Sequence, residues 1–300
     1  MELIKPGTSI DFIRYSKFAV LFSVALILLG LGSFVYHGGP NYGVDFVGGT
    51  VVHVKFTQPV SVTDIRQALA ATEIANVTVQ DFGQSGDEFL IRMPVSESGR
   101  EGLSGQVQQG LAQQFGEQAF EVRRVETVGP KVGKDLRRKA ILAVLFATVM
   151  MGVYLSFRFE PRFGLGAAIA LIHDVLITAS ALSLMDMEFD LPVVAALLTV
   201  IGYSVNDTVI VCDRIRENRR KLRRETLAAI INRSINETLS RTIITTGTAL
   251  LVILALFILG GDVIHPFAFV LLVGFTIGTY SSIYVASPII LFWEREGKRR

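Results

Sequence analysis

The sequence of 300 residues predicts an α-helical polytopic membrane protein with one small α+β domain outside the bilayer, and three observations predict it. Half of the residues are hydrophobic, mean hydropathy is +0.47 and only 19% are charged, a composition foreign to a water-soluble domain. Six apolar runs are long enough to cross a hydrocarbon core of ~30 Å, which takes about 20 helical residues. Between the first two runs lies a polar stretch of about 100 residues, an ordinary domain size.

The apolar runs cover residues 18–37, 139–157, 163–184, 191–212, 243–261 and 266–293. The first is too long for a signal peptide and lacks its small-residue cleavage site, so it reads as an anchor. The loop between spans four and five has nine Arg or Lys and the tail "EREGKRR" has four, while "MDMEFD" and "GGDVIH" have none. The positive-inside rule then puts both termini and the Arg-rich loop in the cytoplasm. "KVGKDLRRK" before span two falls on the outer side, which the rule tolerates because long segments translocate largely regardless of charge. The expected organisation is therefore a cytoplasmic N-terminus and first span (1–37), an extracytoplasmic domain (38–137), spans two to six (138–293) and a basic cytoplasmic tail (294–300). Within 214–240, apolar residues from Leu222 to Leu239 recur at helical spacing with arginines opposite, predicting an amphipathic cytoplasmic helix.

The outer domain has its own pattern. "TVVHVKF" alternates as a strand, "SVTDIRQALAAT" is a capped helix, and "NVTVQDF" and "EFLIRM" are strands around the turn "GQSGD". "SGREGLSGQVQQGLAQQF" follows as a helix and "QAFEVRRVETV" as a strand, completing the βαββαβ order of a ferredoxin-like domain. Asp64, Asp81 and Asp87 read as cap and turn residues and His53 as a lone strand histidine, so the domain is expected to dock and not to catalyse.

Polar residues inside the spans point to the chemistry. Asp207, beside Asn206, lies five residues inside Cys212, ~7 Å from the expected helix end and beyond the reach of its short side chain. Asp174 sits near the middle of span three beside His173, and Arg241 stands just before span five, followed by Thr242, Thr245 and Thr246. Each charge at such depth costs ~2.5 to 3.5 kcal/mol and usually faces a bundle interior or a wet cavity. Together they suggest a polar path. A carboxylate stripped of water holds a proton more firmly and a neighbouring arginine favours its release, so relative movement of the two would alternate proton binding. The structural alternatives are a static pair of Asp207 with Arg241 or Arg214, and local satisfaction of Asp174 by His173. Gly274, Gly278, Ser281 and Ser282 form a small-residue face expected to pack a neighbouring helix.

Other chemistries lack their residues. "FVGGT" has no lysine to make a phosphate loop, no zinc spacing occurs, and no nucleophile–base–acid set is present, so neither enzyme activity nor a cofactor is expected. The single cysteine excludes an internal disulfide, and a net charge of +2 without aromatic-interleaved basic runs argues against nucleic acid.

Six motifs in order, "GVDFVGGT", "VGPKVGKDL", "FRFEPRFG", "ALIHDVLIT", "GYSVNDTVIVCDRIREN" and "LSRTIITTGTALL", resemble the SecF family, the smaller partners of SecD in bacterial protein export. The resemblance covers essentially the whole chain and lies within the resistance–nodulation–division superfamily. It implies a bacterial inner-membrane protein with SecD as obligate partner, the SecY–SecE–SecG channel and YajC as neighbours, and a preprotein as substrate on the outer side. It further implies coupling of export to the proton-motive force, with sodium as the alternative ion. Asp207 and Arg241 match the family's proton-conduction residues, with Asp174, His173 and Asn206 beside them. Asp45, Gly48 and Gly49 match a motif read as coupling the domain to the membrane. A six-span chain is half of a superfamily transporter, which leaves a small-molecule or lipid half-transporter as the second reading and a static scaffold as the third.

Overall fold

The computed structural model describes residues 9–70, 72, 77–82, 86–93, 103–261 and 264–297. The chain enters through α1 (Phe12–Tyr36), capped by the Asp11 carboxylate on the Arg14 amide, and turns through the short α2 (Val44–Val47). The sheet domain follows as β1 (Gly49–Phe56), α3 (Val62–Ala70), β2 (Thr78–Asp81), β3 (Glu88–Met93), α4 (Leu103–Phe115) and β4 (Phe120–Val128). The bundle is completed by α5 (Pro130–Arg158), α6 (Pro161–Leu184), α7 (Leu191–Lys221), α8 (Leu227–Leu259) and α9 (His265–Ser281). A π-helical turn, Ser282–Ala286, continues α9 into α10 (Ser287–Gly297). The side chains of the basic tail 294–300 and parts of the turn "GQSGD" lie outside the described residues.

All three strand pairings are antiparallel in the order β2-β3-β1-β4, the sheet expected of a ferredoxin-like βαββαβ unit. Alternation puts Val52, Val54 and Phe56 of β1 and Phe89, Ile91 and Met93 of β3 under α3 and α4, whose Ile65, Leu69, Val107 and Leu111 complete the core. The opposite face carries Val51, His53, Lys55, Leu90 and Arg92 and turns toward the bundle. A cavity of about 1110 Å³ separates it from the connector before α7.

His53 is not alone on that face. Its Nε2 lies 2.8 Å from Glu88, to which Lys55 Nζ donates at 2.7 Å. The Lys55 hydrogen bond, helped by His53, holds the Glu88 carboxyl below its ordinary range. A depressed carboxyl contributes stability that is present above pH ~4.5 and is lost as pH falls through the lowered value. The pair is partly exposed, so solvent screens its contribution. Glu88→Gln is expected to flatten this acid-side decline, read as protease resistance of the domain at pH 4 against pH 7; an unchanged decline would assign it to other carboxyls.

Several helix bounds differ from the sequence reading, among them the start of α1 at Phe12 in place of 18. Residues 214–240 do not form one amphipathic helix: α7 runs on to Lys221, the chain turns over 222–226, and the Thr226 hydroxyl caps α8 by accepting from the Ala229 amide. Arg219, Arg220 and Lys221 in the last turn of α7 suit its negative end. The apolar stripe covers the end of the bundle and not a lipid surface, with Ile215, Ile230, Ile231 and Ile235 packed against Phe12, Phe163 and Leu291. Asp213 is an exposed residue within α7. At the sheet end, α5 begins at Pro130, so 130–137 is helix continuous with span two.

The far end is also tied to α1. Asn236 exchanges two hydrogen bonds with the Ile10 backbone (2.9 and 2.8 Å), and Asn232 accepts from the Ile13 amide (3.0 Å). Asn232 thereby satisfies a donor that the first turn of α1 leaves open.

Candidate functional site in the helix bundle

Small residues let the central helices approach closely enough to enclose charge. A Cβ on Gly274 would stand 2.2 Å from Val200, and one on Gly278 would stand 3.0 Å from Ser204, so α9 lies directly on α7. The small-residue face of α9 packs as expected from sequence. It also supplies hydroxyls.

Asp207 is wholly buried on α7. Its Oδ2 accepts from Thr279 of α9 at 3.1 Å and from Thr246 of α8 at 3.4 Å. Those two hydroxyls are 2.8 Å apart, and Tyr203 donates to Thr246 at 3.2 Å, with its ring stacked on Phe275. Among the described residues Asp207 Oδ1 has no partner, nor does the buried Thr242 hydroxyl one turn before Thr246 on α8. A buried polar atom left unmatched costs ~1–3 kcal/mol, which a proton, a water or a partner group at Oδ1 would relieve.

Asp174 is equally buried and fully engaged. Its Oδ2 accepts from Ser204 of α7 (2.6 Å) and Ser281 of α9 (2.8 Å), and its Oδ1 lies 2.9 Å from His173 Nδ1. His173 Nε2 lies 2.9 Å from the Ser23 hydroxyl of α1. The local His173 contact expected from sequence is thus one of three, and the cluster joins α1, α6, α7 and α9.

The remaining residues of the expected path stand outside the buried cluster, with Arg241 near enough for its charge to act on Asp207. Arg241 and Asn206 are exposed on the outside of the bundle, and Asp207 makes no ion pair within 4.0 Å among the described residues. Neither static pair forms: Arg214 is taken by Glu217 and Glu237, both at 2.6 Å. Thr245 bonds back to the Arg241 carbonyl. Tyr203, Ser204, Thr279, Ser23 and Tyr280 complete the two clusters and are not among the residues that the sequence picks out. Their only signal was a hydroxyl within a helical turn of a buried carboxylate, or on a helix whose packing brings it there.

The motif at the domain entrance has a specific geometry. Gly48 and Gly49 have φ of +85° and +154°, where a side chain is strained. A Cβ on Gly48 would meet the Pro130 backbone at 2.9 Å, and one on Gly49 the Met93 carbonyl at 2.7 Å. Asp45 Oδ2 accepts from the Leu191 amide at 3.1 Å, capping the first residue of α7. Arg92 on the open sheet face pairs with Glu188 just before α7. Burial lowers the affinity of the Arg92 guanidinium for its proton.

Comparison with known proteins places these features in a family. The family described as protein export membrane protein SecD/SecF, C-terminal, matches residues 107–296, and the SecD/SecF GG motif matches residues 35–60. Protein translocase subunit SecF of Magnetococcus marinus is 46% identical over the whole chain and 97% of its own length. Those of Vibrio alginolyticus and Escherichia coli O157:H7 are 45% and 43% identical, each over 97% of this chain and 91% and 90% of their own lengths. The crystal structure of SecDF, a translocon-associated membrane protein from Thermus thermophilus, matches with a TM-score of 0.83 at 37% identity, over 96% of this chain. This chain spans 39% of that longer one.

Proposed function

The chain belongs to the SecF family of protein-export membrane proteins, and from that membership we propose that it couples the proton-motive force to completion of Sec-dependent export. Sec-associated protein export is the activity of its relatives by name, translocase subunits and not catalytic enzymes. Six apolar helices and that membership make it a multi-pass protein of the bacterial inner membrane. Proton coupling is our own reading. The single observation that carries it is Asp207, a wholly buried carboxylate with one oxygen held by a Tyr203–Thr246–Thr279 hydroxyl chain and the other unmatched.

In this reading Asp207 exchanges a proton through Oδ1. Arg241 and Asn206, exposed on the same two helices, face the partner half of the transporter, and movement between the halves changes the distance from Arg241 to Asp207. SecD is that partner, since the matched SecDF structure is a longer chain of which this one is a part-length counterpart. The channel SecY–SecE–SecG and a preprotein emerging on the outer side complete the assembly, with YajC as an accessory. The sheet domain lies outside the cytoplasm, and the Asn232–Asn236 end, with the N-terminus and the basic tail, lies inside. Asp45, Gly48 and Gly49 connect the domain to α7 and α5, so domain movement reaches Asp207 along a continuous helix.

The test is reconstitution with SecD and the SecY channel in vesicles, measuring completion of preprotein export with and without a proton gradient. A gradient-dependent component that requires this chain is the expected result. Its absence, together with gradient-driven extrusion of a lipid or drug by the same pair, would replace this reading with the half-transporter.

A further inference from the structure

We infer that His173 and Asp174 are a second protonation site, holding one proton between them behind a hydroxyl chain anchored on α1. The inference comes from counting hydrogens. The Tyr280 hydroxyl donates its one proton to the Ala19 carbonyl at 2.6 Å, and a carbonyl can only accept. Tyr280 must therefore accept in its 3.1 Å contact with Ser23, so Ser23 donates there. That commits the one Ser23 proton. In the 2.9 Å contact between Ser23 and His173, the donor is then Nε2–H.

With Nε2 protonated, a neutral histidine has a bare Nδ1. The 2.9 Å contact from Nδ1 to Asp174 Oδ1 still needs a proton between two acceptors. Oδ2 is not its home, because Ser204 donates there at 2.6 Å and the shorter of the two Ser281 contacts, 2.8 Å against 3.1 Å to the Gly278 carbonyl, is also to Oδ2. One proton is therefore shared along the Nδ1–Oδ1 line. The pair is neutral overall, which is how a buried charge is best carried. The other titratable group against it is Tyr280, whose ring stacks on His173 at 6.1 Å and 20°.

The anchor gives the dyad a control. Ala19 and Ser23 belong to α1, which leads into the sheet domain, whereas Tyr280 belongs to α9. If α1 shifts along α9 and the Tyr280–Ala19 bond breaks, Tyr280 can donate to Ser23 and Ser23 to Nε2. Nε2 must then have given up its proton, to water. The proton content of the dyad is thus tied to the α1–α9 contact. Asp207 has no such chain to α1, so the two carboxylates answer to different movements. This second half rests on the proton-coupling reading; the proton count does not.

The test is ¹⁵N NMR of the imidazoles in the full chain with its SecD partner in lipid bilayers. His173 is assigned against His37, His53 and His265 by the signal lost in His173→Gln. The unaltered protein is expected to show Nε2 bonded to hydrogen and Nδ1 in a shared-proton bond. A bare Nε2 overturns the inference. In Asp174→Asn the amide donates to Nδ1, so Nε2–H persists and the shared proton disappears; a shared proton that survives there also overturns it. Tyr280→Phe keeps the ring stack and removes the anchor, and is expected to reduce gradient-dependent export about two- to thirty-fold, the range for residues that carry coupling between sites. Unchanged export in Tyr280→Phe overturns the link to α1. A normal proton count in a complex whose export ignores the gradient would leave the dyad standing and remove the proposed function instead.

Discussion

Asp207→Asn is expected to abolish the gradient-dependent part of export while leaving assembly with SecD and the gradient-independent part intact. The amide has the shape of the carboxyl group, and its oxygen can accept from Thr279 and Thr246 as Oδ2 does. Its NH₂ takes the place of Oδ1, which has no partner to lose. Packing is therefore nearly unchanged, and only the capacity to bind and release a proton is gone. Because Asp207 is the group that binds and releases the coupling proton in the proposed function, the effect is a loss of the whole gradient-dependent component and not a fraction of it. Export is followed in vesicles with and without the gradient, and assembly by copurification. Full gradient dependence in the variant would reduce Asp207 to a packing residue and favour the scaffold reading.

Asp174→Leu should have the larger effect on the fold. Leucine keeps the number and branching of the side-chain heavy atoms but is bulkier and accepts nothing, so Ser204, Ser281 and His173 would each lose an acceptor inside the bundle. Removing one partner of a buried charged pair costs about 3–5 kcal/mol, a large part of the total stability of an ordinary domain. Asp174→Asn is the control. Its oxygen keeps both serines and its nitrogen donates to His173 Nδ1, so it should assemble close to normally. Thermal unfolding of the purified complex separates the two. Equal midpoints for leucine and asparagine would mean that the cluster does not hold α6, α7 and α9 together.

Much of the architecture was legible because its signals are local. A run of apolar residues long enough for the bilayer declares a helix, and strict alternation in "TVVHVKF" and "EFLIRM" declares strands with one buried face. The stretch 214–240 departs from the single amphipathic helix that its pattern predicts, for a physical reason. Periodicity shows that one face is apolar, but lipid and another helix satisfy that face equally well. The break at 222–226 depends on a threonine cap and a turn that scarcely interrupt the pattern. Asp207 and Asp174 stood out because charge is rare at that depth. Their partners did not, since serine, threonine and tyrosine are ordinary in membrane helices.

From the sequence alone come the membrane helices, the ferredoxin-like domain, the buried carboxylates and the family, all of which rest on composition, periodicity or motifs within single segments. The tertiary structure decided which carboxylate is saturated and which is left half-matched. It also showed that Arg241 makes no ion pair with Asp207 among the described residues, that Asp45 accepts from the first amide of α7, and that a tyrosine on α9 and a serine on α1 close the chain to His173. Hydrogen bonds between helices 150 to 261 residues apart in sequence depend on the rotation and approach of whole elements. No local pattern in the chain carries that information.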